Sequence, residues 1–286
     1  MLNYRHAYHA GNFADVLKHA LLVRLMRSLQ RKETPFVFVD THAGRGSYDL
    51  LAASEGETHP RAPEWPGGIG RLWDSAELPP GLADYVGLVR GYDRARGNPG
   101  PGPRFYPGSP RLARLAARAQ DRLELWERQP DECAALREDV LGERRVSVHG
   151  EDGYGAMRAC LPPAERRALV LVDPPFEAQG EWNAVEAALG EGLTRFPGGT
   201  YAVWYPLTAR ARPDEFFGFL KSTEAPSLCA ELVVDPSAPR MAGCGLAILN
   251  PPWLFDSEAR EILTYLSSVT YRDSGAQGDV RWIVSE

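Results

Sequence analysis

"FVFVDTHAGRGSY", residues 36–48, decides the fold. Its first five residues are apolar and β-rich and stop at a carboxylate, Asp40. Gly44 and Gly46 follow in a short polar run. A strand that ends in a glycine-bearing turn lets the main chain approach a ligand closely, because no Cβ intervenes. The run is not GxGxxG, since Asp49 stands where the third glycine belongs, and it is not the GxxxxGK[ST] phosphate loop. A lone GxG is as often a plain tight turn as a ligand loop. The acid alters that balance. A carboxylate at the strand tip repels a pyrophosphate and suits an ammonium group, such as the methionine end of S-adenosylmethionine.

Outward from this stretch, strands and helices alternate. Residues 15–32 carry Val16, Leu17, Leu21, Leu22, Leu25 and Leu29 near helical spacing, so a helix precedes the first strand. Residues 51–108 break the pattern with nine prolines and many glycines; they read as an insertion with short helices around 68–76 and 81–96. A helix over 109–119 follows, with Ser109 as N-cap and Pro110 at its first position. Strands at 122–127, 145–150 and 168–172 alternate with helices, and "GTYAVWYPL", "AELVVD", "GCGLAIL" and "VRWIVSE" supply later strands. Such alternation favours a mostly parallel sheet covered on both faces.

The 286 residues are 44% hydrophobic and 24% charged, an ordinary globular composition. Cys133, Cys160, Cys229 and Cys244 show no CxxC spacing, which suggests neither zinc nor a disulfide framework. No apolar run approaches a membrane span and the polar N-terminus is no signal peptide, so a cytoplasmic protein is expected. The net charge is -6, yet two segments are basic. Residues 1–32 hold six basic side chains against Asp15, and residues 90–128 hold nine arginines against four acids. A solvated helix surface explains such runs, and so does a local phosphate-binding face.

A second acid should receive the ribose hydroxyls from the neighbouring strand. Glu127 ends the next strand, displaced by the insertion. Asp152 and Gly153 end the third strand's loop, where they border an adenine, cap a helix, or both. The fourth strand runs into Asp173-Pro174-Pro175-Phe176. A ring-conjugated amine is a weak nucleophile because its lone pair is delocalised. Asp173 and the Pro174 carbonyl would accept hydrogen bonds from it, Pro175 stiffens the turn, and Phe176 offers a face for a planar base. "NPPW" at 250–253 fits the same local pattern. It follows a later strand, read as the sixth, and is expected to be a structural turn that lines the pocket at most.

The chain resembles the RlmJ family of 23S ribosomal RNA adenine-N6 methyltransferases. The resemblance rests on "YRHAYHAGNFADVLKH", "DTHAGRG", "YPGSP", "DPPF", "WYP", "NPPW" and the C-terminal "WIV". It implies an α/β, Rossmann-like class I S-adenosylmethionine-dependent methyltransferase with a small helical insertion. Residues 1–50 and 109–286 would form the methyltransferase domain and 51–108 the insertion. It implies methylation of N6 of adenine 2030 of 23S RNA. By motif match, His19, His42, Ser109, Glu127, Asp152, Gly153 and Asp173 would surround the cofactor, beside Asp40, Gly44 and Gly46. Tyr4, His6 and Lys18 would belong to an N-terminal element reaching toward the RNA, with Arg5 and Lys18 holding phosphates. A monomer without metal or membrane contact is expected. Two alternatives stay open: a DNA adenine-N6 methyltransferase, and a non-catalytic RNA-binding protein on the same fold.

Overall fold

The structure, a computed structural model, describes residues 8–52, 62–238 and 241–285. Tyr4, Arg5 and His6 therefore lie outside the described residues. The strands are β1 (Val37–Asp40), β2 (Ser47–Asp49), β3 (Phe105–Pro107), β4 (Arg122–Trp126), β5 (Val146–His149), β6 (Ala168–Val172), β7 (Thr200–Leu207), β8 (Ser227–Val233), β9 (Gly243–Leu249) and β10 (Gln277–Val284). The helices are α1 (Phe13–Gln30), α2 (Ile69–Leu72), α3 (Pro80–Ala95), α4 (Ser109–Ala116), α5 (Pro130–Asp139), α6 (Ala156–Cys160), α7 (Glu181–Arg195), α8 (Ala211–Ser222) and α9 (Phe255–Tyr265).

Eight strands form one sheet in the order β10-β8-β9-β7-β6-β1-β4-β5. The five from β7 to β5 are parallel, and β9, β8 and β10 extend the sheet antiparallel. This is the class I methyltransferase arrangement with one added edge strand. β1 and β6 are buried along their whole length, as parallel strands covered on both faces must be. The period of two sends Phe36 and Phe38 to the face covered by α1, α3, α4 and α9, and Val37 and Val39 to the face covered by α6, α7 and α8. β4 and β5 lie on one side of β1, and β6 and β7 on the other. The chain thus switches direction between β1 and β6, and sheets of this kind form their ligand crevice at such a point, above the carboxyl ends.

Three expectations need correction. The first helix begins at Phe13, because Asn12 caps it through the Ala14 and Asp15 amides. The N-cap of α4 is Gly108 and not Ser109, which is already helical. "NPPW" follows the seventh strand of the sheet, since β8 is the sixth. It also lies at the opposite rim from the crevice, because β9 runs antiparallel to β7 and pairs Leu249 with Tyr201. There Asn250 donates to the Pro197 and Gly199 carbonyls and closes a turn. It is structural, as expected, but it does not line the pocket.

The insertion is sewn into the main body. β2 and β3 pair antiparallel and join its two ends, Tyr48 opposite Tyr106. Leu82, Tyr85, Val86 and Val89 of α3 bury into the same core as α1.

Candidate active site

At the tip of β1, Asp40 is fully buried. Its Oδ2 accepts from Ser109 Oγ at 2.7 Å and its Oδ1 from the His42 amide at 3.2 Å. Ser109 is free to do this because it does not cap its helix. Burial pushes the Asp40 carboxyl up to about 7; the Ser109 hydrogen bond opposes the rise and the nearby Asp173 charge adds to it. His42 stands next to it, its Nδ1 2.7 Å from Thr41 Oγ1 and its ring edge-on to Tyr154 at 5.1 Å. Burial pulls its pKa down to about 4, so the ring is neutral at pH 7.

The glycine loop is held from behind. Gly44 and Gly46 both have positive φ, 62° and 85°, which favours glycine at each. The Gly44 amide donates to Glu127 Oε2 at 2.9 Å, and the Gln129 amide to Glu127 Oε1 at 2.7 Å. Each Glu127 oxygen accepts one of these bonds and has a second lone pair to offer. Burial raises the Glu127 pKa against these two hydrogen bonds. Asp139 sits under Gly46, where a Cβ would come within 2.7 Å of its Oδ2. Asp139 also takes Ser47 Oγ at 2.5 Å and Arg111 Nε at 2.8 Å, tying the loop to α4 and α5.

Asp152 accepts from the Tyr154 amide at 3.1 Å and so caps a short turn while staying exposed. A Cβ on Gly153 would fall 1.7 Å from the Thr41 carbonyl oxygen. The third strand's loop therefore touches the first strand's loop main chain to main chain.

Across the crevice, Lys18 Nζ lies 2.5 Å from Asp173 Oδ2 and 3.0 Å from Asp15 Oδ1, its side chain 6% exposed. Lys18, expected to hold a phosphate, is instead buried against the DPPF acid. His19 Nδ1 meets the Tyr106 hydroxyl at 2.7 Å, which meets the Tyr85 hydroxyl at 2.9 Å. Pro174 is buried. Phe176 has φ 51°, uncommon for a non-glycine and held only where packing over-determines it. Its ring packs on Trp182 at 4.6 Å, with Trp204 at 6.0 Å.

Asp40, His42, Gly44, Gly46, Ser109, Glu127, Asp152, Gly153 and Asp173 thus gather at the carboxyl ends of β1, β4, β5 and β6. His19 pairs instead with Tyr106, which lies three residues before Ser109 in the chain. Asp15, Tyr85, Tyr106, Trp182 and Trp204 escaped the sequence reading. Two signals were present: Asp15, Lys18 and His19 share a face at spacings of three and four, and Tyr106 belongs to "YPGSP".

The family model described as ribosomal RNA large subunit methyltransferase D, RlmJ, matches residues 33–284. The chain belongs to this family. It is 38% identical, over the full length of both chains, to the ribosomal RNA large subunit methyltransferase J of Haemophilus influenzae, and 38% identical over full length to the protein of that name in Escherichia coli. A crystal structure of a Legionella pneumophila protein superposes with a TM-score of 0.86 at 33% identity, over 96% of this chain and 98% of that one. A probable spermidine synthase of Corynebacterium glutamicum shares the fold alone, with a TM-score of 0.50 at 12% identity over 94% and 75% of the two chains.

The fold and the family are those of S-adenosylmethionine-dependent methyltransferases, and the residues fit that cofactor. A Cβ on Gly153 would strike the Thr41 main chain and one on Gly44 the Tyr48 hydroxyl, so the loops after the first and third strands of the sheet pack tightly beside the two acids. One half-buried acid, Glu127, suits a diol, and one fully buried acid, Asp40, suits a cation.

Proposed function

We propose that the protein transfers a methyl group from S-adenosylmethionine to N6 of an adenine in 23S ribosomal RNA, position 2030 in the usual ribosomal numbering. The supporting observation is the Asp173–Lys18 pair at the end of β6, beside the glycine loop of β1. S-adenosylmethionine supplies a methyl group on a sulfonium, ready for in-line attack. In this reading Glu127 holds the ribose, and Asp40, through Ser109 and the His42 amide, sets the polar floor near the methionine end. Asp152 and Gly153 border the adenine of the cofactor.

Asp173 and the Pro174 carbonyl accept hydrogen bonds from the substrate amine. That draws the amine away from the ring plane and aims its lone pair outward. Lys18 fixes the Asp173 carboxylate and compensates its charge, so the acceptor is preorganised before the base arrives. Phe176, backed by Trp182, offers the base a flat apolar surface. The excess proton leaves after transfer, to Asp173 or to water. Tyr4 and His6 are assigned to RNA contact on family resemblance, and Arg5, between them, on its charge.

The test is incubation with labelled S-adenosylmethionine and either protein-free 23S RNA or adenine-containing DNA, followed by mapping of the labelled base. Label at N6 of one RNA adenine is expected. Label in DNA only favours a DNA enzyme, and none in either favours a binding protein.

Two measurements probe the cofactor assignment. Glu127→Ala should weaken S-adenosylmethionine binding by about 10–150-fold, the loss of a charged hydrogen bond, with a smaller effect on the bound reaction. Unchanged affinity by calorimetry moves the ribose site elsewhere. The second is a pH dependence. Asp40 is protonated below about 7, and a neighbouring cation favours its ionised form. Binding should therefore release a proton, and affinity should rise with pH toward about 7 and level off above it. Asp40→Asn should bind more weakly and lose that rise. The ligand's own amine titrates equally in both proteins, so the difference isolates Asp40. Parallel pH profiles would remove Asp40 from the cation's neighbourhood.

A further inference from the structure

The structure accounts for most of the charge in the two basic segments. In the first, Lys18 meets Asp15 and Asp173, Arg24 and Arg31 meet Glu258, and Arg27 meets Asp84. In the second, Arg111, Arg114, Arg118 and Arg122 pair with Asp139, Glu143, Asp121 and Glu165. Arg94 and Arg96, at the carboxyl end of α3, make no ion pair among the described residues, and both are exposed.

Of these two, Arg96 stands on a built platform. The Arg96 guanidinium lies 5.3 Å from the centre of the Phe105 ring, and that of Arg104 lies 4.9 Å from the same ring. A guanidinium held on an aromatic ring loses rotamer freedom but keeps its N–H edge for a phosphate. The loop between α3 and β3 is pinned by Asp93, which is 2% exposed. Asp93 accepts from the Arg104 and Phe105 amides at 3.0 and 2.8 Å and from Asn98 Nδ2 at 2.7 Å. Asn98 Nδ2 also donates to the Gly102 carbonyl at 2.7 Å. Asp49 offsets Arg104, so the local excess resides on Arg94 and Arg96. Favourable interaction with the α3 dipole explains two arginines at a helix end. It does not explain an arginine seated on Phe105 beside a loop fixed by a buried acid.

The platform adjoins the candidate site. Phe105 opens β3, and Ser109, four residues on, touches Asp40. Four residues of extended chain span roughly 13 Å, about two phosphate spacings of a nucleic-acid strand.

We infer that Arg96 and Arg104, seated on Phe105, together with the exposed Arg94 at the same helix end, form a phosphate-binding surface for the RNA that flanks the target adenine. The inference rests on the RNA substrate proposed above and adds a point of contact besides the N-terminal residues assigned to RNA there.

The test measures the salt dependence of binding to protein-free 23S RNA. R94A/R96A should lower the slope of log affinity against log salt by about 1.4–1.8, two phosphate contacts, and weaken binding on the order of tenfold at low salt. The Michaelis constant for RNA should rise while S-adenosylmethionine affinity stays the same. R94K/R96K, which keeps the charge, should retain most of the slope. A control pair on α6 and α7, R158A/R195A, removes the same net charge elsewhere and should leave the slope unchanged. An unchanged slope in R94A/R96A, or an equal loss in the control, overturns the inference. Binding by the wild type without methyl transfer would overturn the proposed activity and leave this surface standing, because the slope reads binding alone.

Discussion

Asp173→Ala is expected to abolish methyl transfer, by at least the 10²–10³-fold typical of losing one preorganised charge-stabilising group. The carboxylate is held 2.5 Å from Lys18 Nζ, so it is a fixed acceptor and not a mobile side chain. Its removal leaves the amine without its main partner and the lone pair delocalised into the ring. Stability should also fall. The loss lies between the ~1 kcal/mol of a neutral hydrogen bond and the 3–5 kcal/mol of a broken buried pair, because Lys18 still has Asp15 at 3.0 Å. The protein should therefore fold, melt several degrees lower and bind S-adenosylmethionine. Asp173→Asn keeps one acceptor oxygen and should retain part of the activity. Single-turnover rates decide the matter: activity of the alanine variant within tenfold of wild type would remove Asp173 from the chemistry.

The parts of this site that could be read in the sequence are those whose meaning is local. A strand, an acid and a GxG within thirteen residues announce their own geometry, and Asp40, Gly44 and Gly46 fall where that pattern puts them. Counting strands placed DPPF after the fourth, beside the first, and the sheet order bears that out. What could not be read depends on contacts between distant segments. Helical spacing points Lys18 at the opening above DPPF but does not reveal its ion pair with Asp173, 155 residues away. Ser109 looked like a cap because serine before a proline usually is one; only the approach of Asp40 shows a different use for its hydroxyl. Proline density marked residues 51–108 as a loop-rich insertion, yet Tyr85 and Tyr106 carry it into the core and connect it to His19. DPPF and NPPW share a local pattern; strand order separates them in the sequence, and strand direction puts them at opposite rims. That direction is a property of the whole sheet.

Lys18→Met is expected to be the most destabilising single change near the site. It keeps the length of the side chain and removes the charge, leaving Asp15 and Asp173 facing each other at 2% and 14% exposure. Breaking a buried pair from one side costs about 3–5 kcal/mol, against a total stability of about 5–15 kcal/mol for a folded domain. At roughly 2–4 °C per kcal/mol the melting temperature should drop by about 10 °C. Methyl transfer should be lost as well, since the acceptor is no longer fixed. Loss of activity alone would not separate a damaged fold from a damaged site, but a double-mutant cycle does. In Lys18→Met/Asp173→Asn one of the two stranded charges is gone, so stability should recover by a few kcal/mol relative to the sum of the single changes. Activity should stay absent, because neither the charge of the acceptor nor its anchor is present. Adding Asp15→Asn should restore stability further and activity not at all. Urea melts on the four proteins give the coupling, and strictly additive losses would show that Lys18 and Asp173 do not depend on one another.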